Sequence, residues 1–156
     1  MTSILMEPEI KIHDMKAGDL LAVLDFWVQA WAPVVPGIDF EARRPIFVQH
    51  LAELAKDGAR QRIAVVEGQP VGLLVIHPET GYLDQIVVAP ACFGGGLAKA
   101  LLDDARKIAA ATITLTVNQI NTRAIRFYER EGFVRGESGI SPTSGLLTWH
   151  YAWSPN

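Results

Sequence analysis

The sequence predicts an α/β fold: one domain whose central mixed, largely antiparallel sheet of six to seven strands is flanked by about four helices. Three observations predict it. Apolar runs within residues 62–88 are joined by short glycine-containing turns, as in an antiparallel meander. Four other segments repeat their apolar residues at helical spacing. Between these patterns, over 86–102, an apolar strand passes through a proline and three consecutive glycines into an amphipathic helix.

Each element has its own signal. Residues 10–13 alternate apolar and polar and read as a first strand. Leu20, Leu21, Leu24, Val28 and Trp31 define a helix over 17–31, and Pro33 and Pro36 force a loop after it. Ile46, Phe47, His50, Leu51 and Leu54 share one side of a second helix over 40–56, with Gly58 as its cap. The runs 62–67 and 71–76 form a hairpin turning at Gly68-Gln69, and a second turn at 78–81 leads into a strand over 82–88. Leu97, Leu101, Ala105 and Ile108 form the buried stripe of a helix ending near Ala111. Residues 112–117 are rich in β-branched side chains and read as a strand. A helix from Asn121 to Gly132 precedes a strand opening at 133–136, a Ser/Gly/Pro loop at 138–145 and a closing strand over 147–153.

Composition narrows the class. The chain has 156 residues, expected to form a single domain over 1–156 with 1–8 as a loose N-terminal extension. That length buries a substantial core without disulfides. Apolar residues make up 49% and charged residues 20%, ordinary for a globular protein. A formal net charge of −3 supplies no basic field, so no nucleic-acid partner is expected. The single Cys92 fits a reducing compartment. No apolar stretch is long enough to span a bilayer, so no membrane partner is expected. The first nine residues lack a basic start and a long apolar centre, so they do not read as a signal peptide. The expected location is therefore cytoplasmic.

The glycine junction suits an anion. Glycines bring backbone N–H groups close to a ligand with no Cβ in the way, and the following helix adds unpaired donors and a positive dipole end. Read alone, the segment is equally a plain strand-to-helix turn. A dinucleotide fingerprint should open a βαβ unit, whereas here a meander precedes the glycines. A Walker A loop needs Gly-Lys-Ser/Thr, and Gly96-Leu97-Ala98 lacks it.

Together with a later segment, the junction resembles the GCN5-related N-acetyltransferase (GNAT) superfamily. The family's loop pattern (Arg or Gln, two residues, Gly, one residue, Gly or Ala) falls on Phe93-Gly94-Gly95-Gly96-Leu97-Ala98. Its later signature matches Asn121, Ala124, Tyr128, Gly132 and Phe133, and its Val-x-Pro strand ending matches Val88-Ala89-Pro90. Phe93 departs from the pattern, so backbone donors or a nearby cation must replace the missing polar side chain.

The resemblance implies transfer of acetyl from acetyl-CoA, as co-substrate, to an amine; no metal is expected. It implies that Ile86, Val87 and Val88 offer backbone groups to pantetheine in a gap beside the 112–117 strand. A backbone N–H near Val88 would stabilise the oxyanion, and Phe93, Gly94, Gly95, Gly96, Leu97, Ala98 and Lys99 would surround the pyrophosphate. Asn121 is either a helix N-cap or a contact for pantetheine, and Ala124 lies one turn on. Tyr128 is the candidate acid, because a phenol with pKa near ~10 stays protonated at neutral pH and can donate to a departing thiolate. Its alternative is a half-buried core aromatic. For the base, Tyr82, Asp84 and Ile86 share one strand face; Asp84 is the first choice and Tyr82 the second. His13, His77 and His150 are outside candidates.

The acceptor, expected to be a small-molecule amine, should enter over the first two helices and the 138–145 loop. Trp27, Trp31, Phe40, Arg43, Arg44 and the 138–145 loop are the candidates for lining that entrance. Trp27 and Trp31, four apart, read more economically as a helix-packing face, and Arg43 or Arg44 could meet an acceptor carboxylate. Lys99, Arg123, Arg126 and Arg130 could reach phosphates. Cys92 could carry acetyl covalently, but free cysteine is more often inert filler, so direct transfer is expected. The alternatives are a non-catalytic acyl-CoA-binding module and an enzyme acting on protein N-termini or lysines. The last strand, if it lies at a sheet edge, makes a homodimer a candidate assembly.

Overall fold

A computed structural model describes residues 8–109 and 111–155. Of the expected N-terminal extension, residues 1–7 lie outside the described residues. In chain order the elements are β1 (Ile10–Asp14), α1 (Leu20–Trp31), α2 (Arg44–Lys56), β2 (Arg60–Val66), β3 (Gln69–Ile76), β4 (Leu83–Val88), α3 (Leu97–Ala109), β5 (Ile113–Asn118), α4 (Thr122–Arg130), β6 (Val134–Ile140) and β7 (Leu147–Trp153). Strands β1-β2-β3-β4 form one antiparallel sheet and β5-β7-β6 a second. The two sheets join through a parallel bridge between Tyr82 and Thr114, where Thr114 N–H also donates to the Gly81 carbonyl at 3.1 Å. No ladder pairs β4 with β5 beyond that bridge among the described residues, so the two strands diverge.

Core packing explains the layers. Successive residues of β2 and β3 point to opposite faces, and both faces are covered. Ala64, Leu74 and Ile76 face α3 through Leu101, Leu102 and Ala105; Ile63, Leu73 and Val75 face α1 and α2 through Val23, Phe26, Trp27, Phe47 and Leu51. Gly72 allows α3 to sit close, because a Cβ there would lie 3.0 Å from Leu101 Cδ1 and 3.3 Å from Ala64 Cβ.

Several expectations are corrected. The buried face of α1 is Val23, Phe26 and Trp27, while Leu21 is 70% exposed. On α2, Phe47 and Leu51 are buried and Ile46 is exposed. That helix starts at Arg44 rather than Phe40, because Pro45 falls in its first turn, where a missing N–H costs least. The β2–β3 turn is Glu67-Gly68, both with positive φ, one residue earlier than expected. Strand β6 runs on to Ile140, since Ser138, Gly139 and Ile140 pair with Trp149, Thr148 and Leu147. Ladder bonds satisfy this backbone despite its loop-like composition. Strand β7 is central, between β5 and β6, so the last strand offers no free edge to a second copy; β6 is the edge. No helix of the described residues is long and apolar enough to cross a membrane.

Candidate active site

The glycine junction forms as a 3-10 turn, Pro90–Cys92, followed by a loop that enters α3. Gly94 and Gly96 both adopt φ of 82°, a backbone conformation that L side chains rarely take. Ala100 N–H donates to the Gly96 carbonyl at 3.0 Å, the first helical bond. The amides of Leu97, Ala98 and Lys99 therefore have no acceptor within the helix.

These amides open into a cleft of about 680 Å³ between β4, the glycine loop and α4. Its walls include Ile86, Val87, Val88, Phe93, Gly94, Gly96, Leu97, Ala98, Lys99, Asn121, Ala124 and Tyr128; Gly95 does not line it and instead donates its N–H to the Cys92 carbonyl. Phe93 carries the Arg123 guanidinium 3.9 Å above its ring centroid. A cation thus stands beside the residue that lacks one. Arg126 and Arg130 line the same wall, and Lys99 is shared between Asp103 at 3.6 Å and Glu131 at 3.5 Å.

A second cleft, about 470 Å³, opens where β4 and β5 diverge, bounded by Tyr82, Asp84, Thr116 and the 141–143 turn. Trp31, Ile86, Asn121, Ala124 and Tyr128 line both clefts, so the two meet there. Tyr128 is 7% exposed, its ring held edge-on by Phe127 and Phe133. Burial pushes its phenol well above the ordinary tyrosine range, which keeps it a proton donor. Asn121 caps α4, its Oδ1 accepting from Ala124 N–H at 3.2 Å. One residue therefore starts the helix and stands at the junction of the clefts.

Asp84 brings the carboxyl group of the second cleft. Its Oδ1 accepts from Gln85 Nε2 at 3.0 Å and lies 2.9 Å from His50 Nε2. Its Oδ2 has no partner among the described residues. The sequence reading placed His50 only on a helix face. No local pattern could have found the pair, because His50 and Asp84 lie 34 positions apart, on α2 and β4. Tyr82 is raised chiefly by burial, with the nearby Thr116 hydroxyl opposing the effect and Asp84 adding to it.

Other candidates lie elsewhere. His13 contacts its neighbour's carbonyl, His77 approaches Asp57 at 3.9 Å, and neither they nor His150 line either cleft. Trp27 stacks on Phe47 at 4.2 Å and meets Phe40 edge-on at 5.4 Å, and Trp31 stacks on the same Phe40 at 6.2 Å, so the two share a packing face while Trp31 also lines the clefts. Arg44 is occupied by Asp25 at 2.9 Å and Glu41 at 3.2 Å, and Arg43 lines neither cleft. Cys92 is a half-buried free cysteine in the first cleft. Among the described residues no group of three or more His, Cys, Asp or Glu could hold a metal ion.

A family model described as the Acetyltransferase (GNAT) family matches residues 22–133. The Peptidyl-lysine N-acetyltransferase YjaB of Salmonella typhimurium is 33% identical over 75 residues, covering 47% of this chain and 50% of that protein. The chain thus aligns with about half the length of that curated relative. Two solved structures share the fold. PH1933 from Pyrococcus horikoshii OT3 superposes with a TM-score of 0.76 at 22% identity, covering 95% of this chain and 99% of that one. The paia N-acetyltransferase from Thermoplasma acidophilum, solved in complex with coenzyme A, gives 0.74 at 16% identity, covering 91% and 98%.

Proposed function

The chain belongs to the acetyltransferase (GNAT) family, and on that basis we propose that it moves acetyl from acetyl-CoA to the primary amine of a small molecule by direct attack in a ternary complex. The observation that carries the reading is the meeting of two clefts at one buried phenol, Tyr128. The whole chain acts as one catalytic domain. The cytoplasm, where acetyl-CoA is found, is the compartment that suits it.

The first cleft fits the co-substrate. Free amides of Leu97 to Lys99 and the helix dipole receive the pyrophosphate, and Arg123, seated on Phe93, supplies the cation that the loop itself lacks. The edge of β4 at 86–88, unpaired among the described residues where β4 leaves β5, offers N–H and C=O groups to the amide-rich arm.

The second cleft receives the amine, which enters as an ammonium. Asp84 Oδ2 takes one proton from it and releases that proton to solvent. The amine nitrogen then bonds to the thioester carbonyl carbon, the C–S bond breaks, and Tyr128 donates its proton to the sulfur. The remaining excess proton on nitrogen returns to the phenolate. The products are an amide, a free thiol and one proton. His50 and Gln85 hold Asp84 by its other oxygen, so His50 is a positioning residue. Cys92 sits in the turn before the glycine loop, at the phosphate end, and takes no part.

The test is thiol release from acetyl-CoA across a panel of amines. Wild type should release thiol with an amine present, and Tyr128→Phe should lose about 10²- to 10³-fold in kcat while binding acetyl-CoA as before. Unchanged kcat removes Tyr128 as the acid. Acetyl-CoA binding with no thiol release from any amine favours a non-catalytic binding module. A lysyl side chain as acceptor is the second reading, favoured by the name of the Salmonella relative.

A further inference from the structure

The second cleft is electrostatically one-sided. Asp84 is the carboxylate that lines it, and no Lys, Arg or His lines it among the described residues. The first cleft has the opposite character: Lys99, Arg123, Arg126 and Arg130 line it against the single acid Glu131. The sign of the wall therefore changes on crossing Tyr128. Asp84 Oδ1 is engaged by His50 and Gln85, which leaves Oδ2 as the available anionic atom. Trp31 and Tyr82 add aromatic walls, which attract cations. The remaining polar groups there include Thr116, Ser141, Thr143 and Thr148, all neutral hydroxyls. The arginines that could have met an acceptor carboxylate do not: Arg44 is paired with Asp25 and Glu41, and Arg43 lies outside the cleft.

We propose that this cleft selects an alkylammonium acceptor with no carboxylate beside it, such as a diamine or a capped lysyl side chain, and rejects free α-amino acids. The inference rests on the acetyl-transfer reading of the same site. An amine that brings one positive charge meets Asp84 and the two aromatic faces. A carboxylate carried on the same small molecule would be desolvated beside Asp84 with no lining Lys, Arg or His among the described residues to pair with.

Matched pairs test it: cadaverine against lysine, putrescine against ornithine, and agmatine against arginine, each with saturating acetyl-CoA and thiol release as the readout. Nα-acetyl-lysinamide is added as the capped lysine. The carboxylate-free member of each pair should have at least about tenfold higher kcat/KM, and the capped lysine should side with the diamines. Which of cadaverine and capped lysine is faster identifies the source of the amine, free or peptidyl. Thr143→Lys adds a cation to the wall and should narrow the cadaverine-to-lysine ratio several-fold. Calorimetry on the CoA complex should detect cadaverine with wild type and lose it with Asp84→Asn. Lysine used as well as cadaverine by wild type overturns the inference and leaves acetyl transfer standing. No thiol release from any amine, free or capped, overturns both.

Discussion

Arg123 sits over the Phe93 ring because a guanidinium gains from an aromatic face when, among the described residues, its charge has no carboxylate partner. The stack holds the charge at the mouth of the first cleft. Arg123→Ala should weaken CoA binding roughly tenfold by calorimetry. Phe93→Ala, which removes only the seat, should weaken it about threefold. Affinity that is unchanged in both variants would leave the loop amides as the whole of the phosphate site. That a cation had to replace the loop's missing polar residue was legible from Phe93. Its identity was not, since Arg123 belongs to a different helix and was one of four equivalent candidates in the sequence. Asp84 tells a similar story: its face on the strand followed from alternation, while its bond to His50 required α2 to fold over β4.

Gly81 decides how the two sheets meet. Its φ is 76°, and a Cβ there would overlap the Thr112 carbonyl, one residue before β5 begins. The close approach lets Thr114 bond to the Gly81 carbonyl and lets Tyr82 bridge to Thr114 before the strands part. Gly81→Ala should cost ~3 kcal/mol through strain and overlap. In a thermal melt that is a drop of about 6–12 °C, with CoA affinity reduced as well, because the gap beside β4 changes shape. A melt within one degree of wild type would mean that the junction yields freely. The strand and helix elements themselves followed closely from periodicity. Their errors fell where contact outweighed composition: the buried stripe of α1 turned toward the sheet, and β6 was drawn out to Ile140 by pairing with β7.

Across the molecule, Tyr128 links stability to the site. Its folded pKa is raised by burial above the unfolded value of about 10. The contribution of the neutral phenol to stability is therefore complete below about pH 10 and is lost as pH rises toward the folded value. Denaturant melts of wild type should weaken above about pH 10, and Tyr128→Phe should flatten that alkaline limb, though not abolish it, since Tyr82 and Tyr151 are raised too. Coincident curves would mean that the phenol is solvated. Order of elements, the glycine turn and the spacing from Asn121 to Tyr128 could be read from the chain alone, because each depends on local backbone chemistry and on residues a few positions apart. The opposite signs of the two clefts, the seat of Arg123, the grip on Asp84 and the interior place of β7 could not. Each depends on groups far apart in the chain being packed together, and no local spacing carries that information.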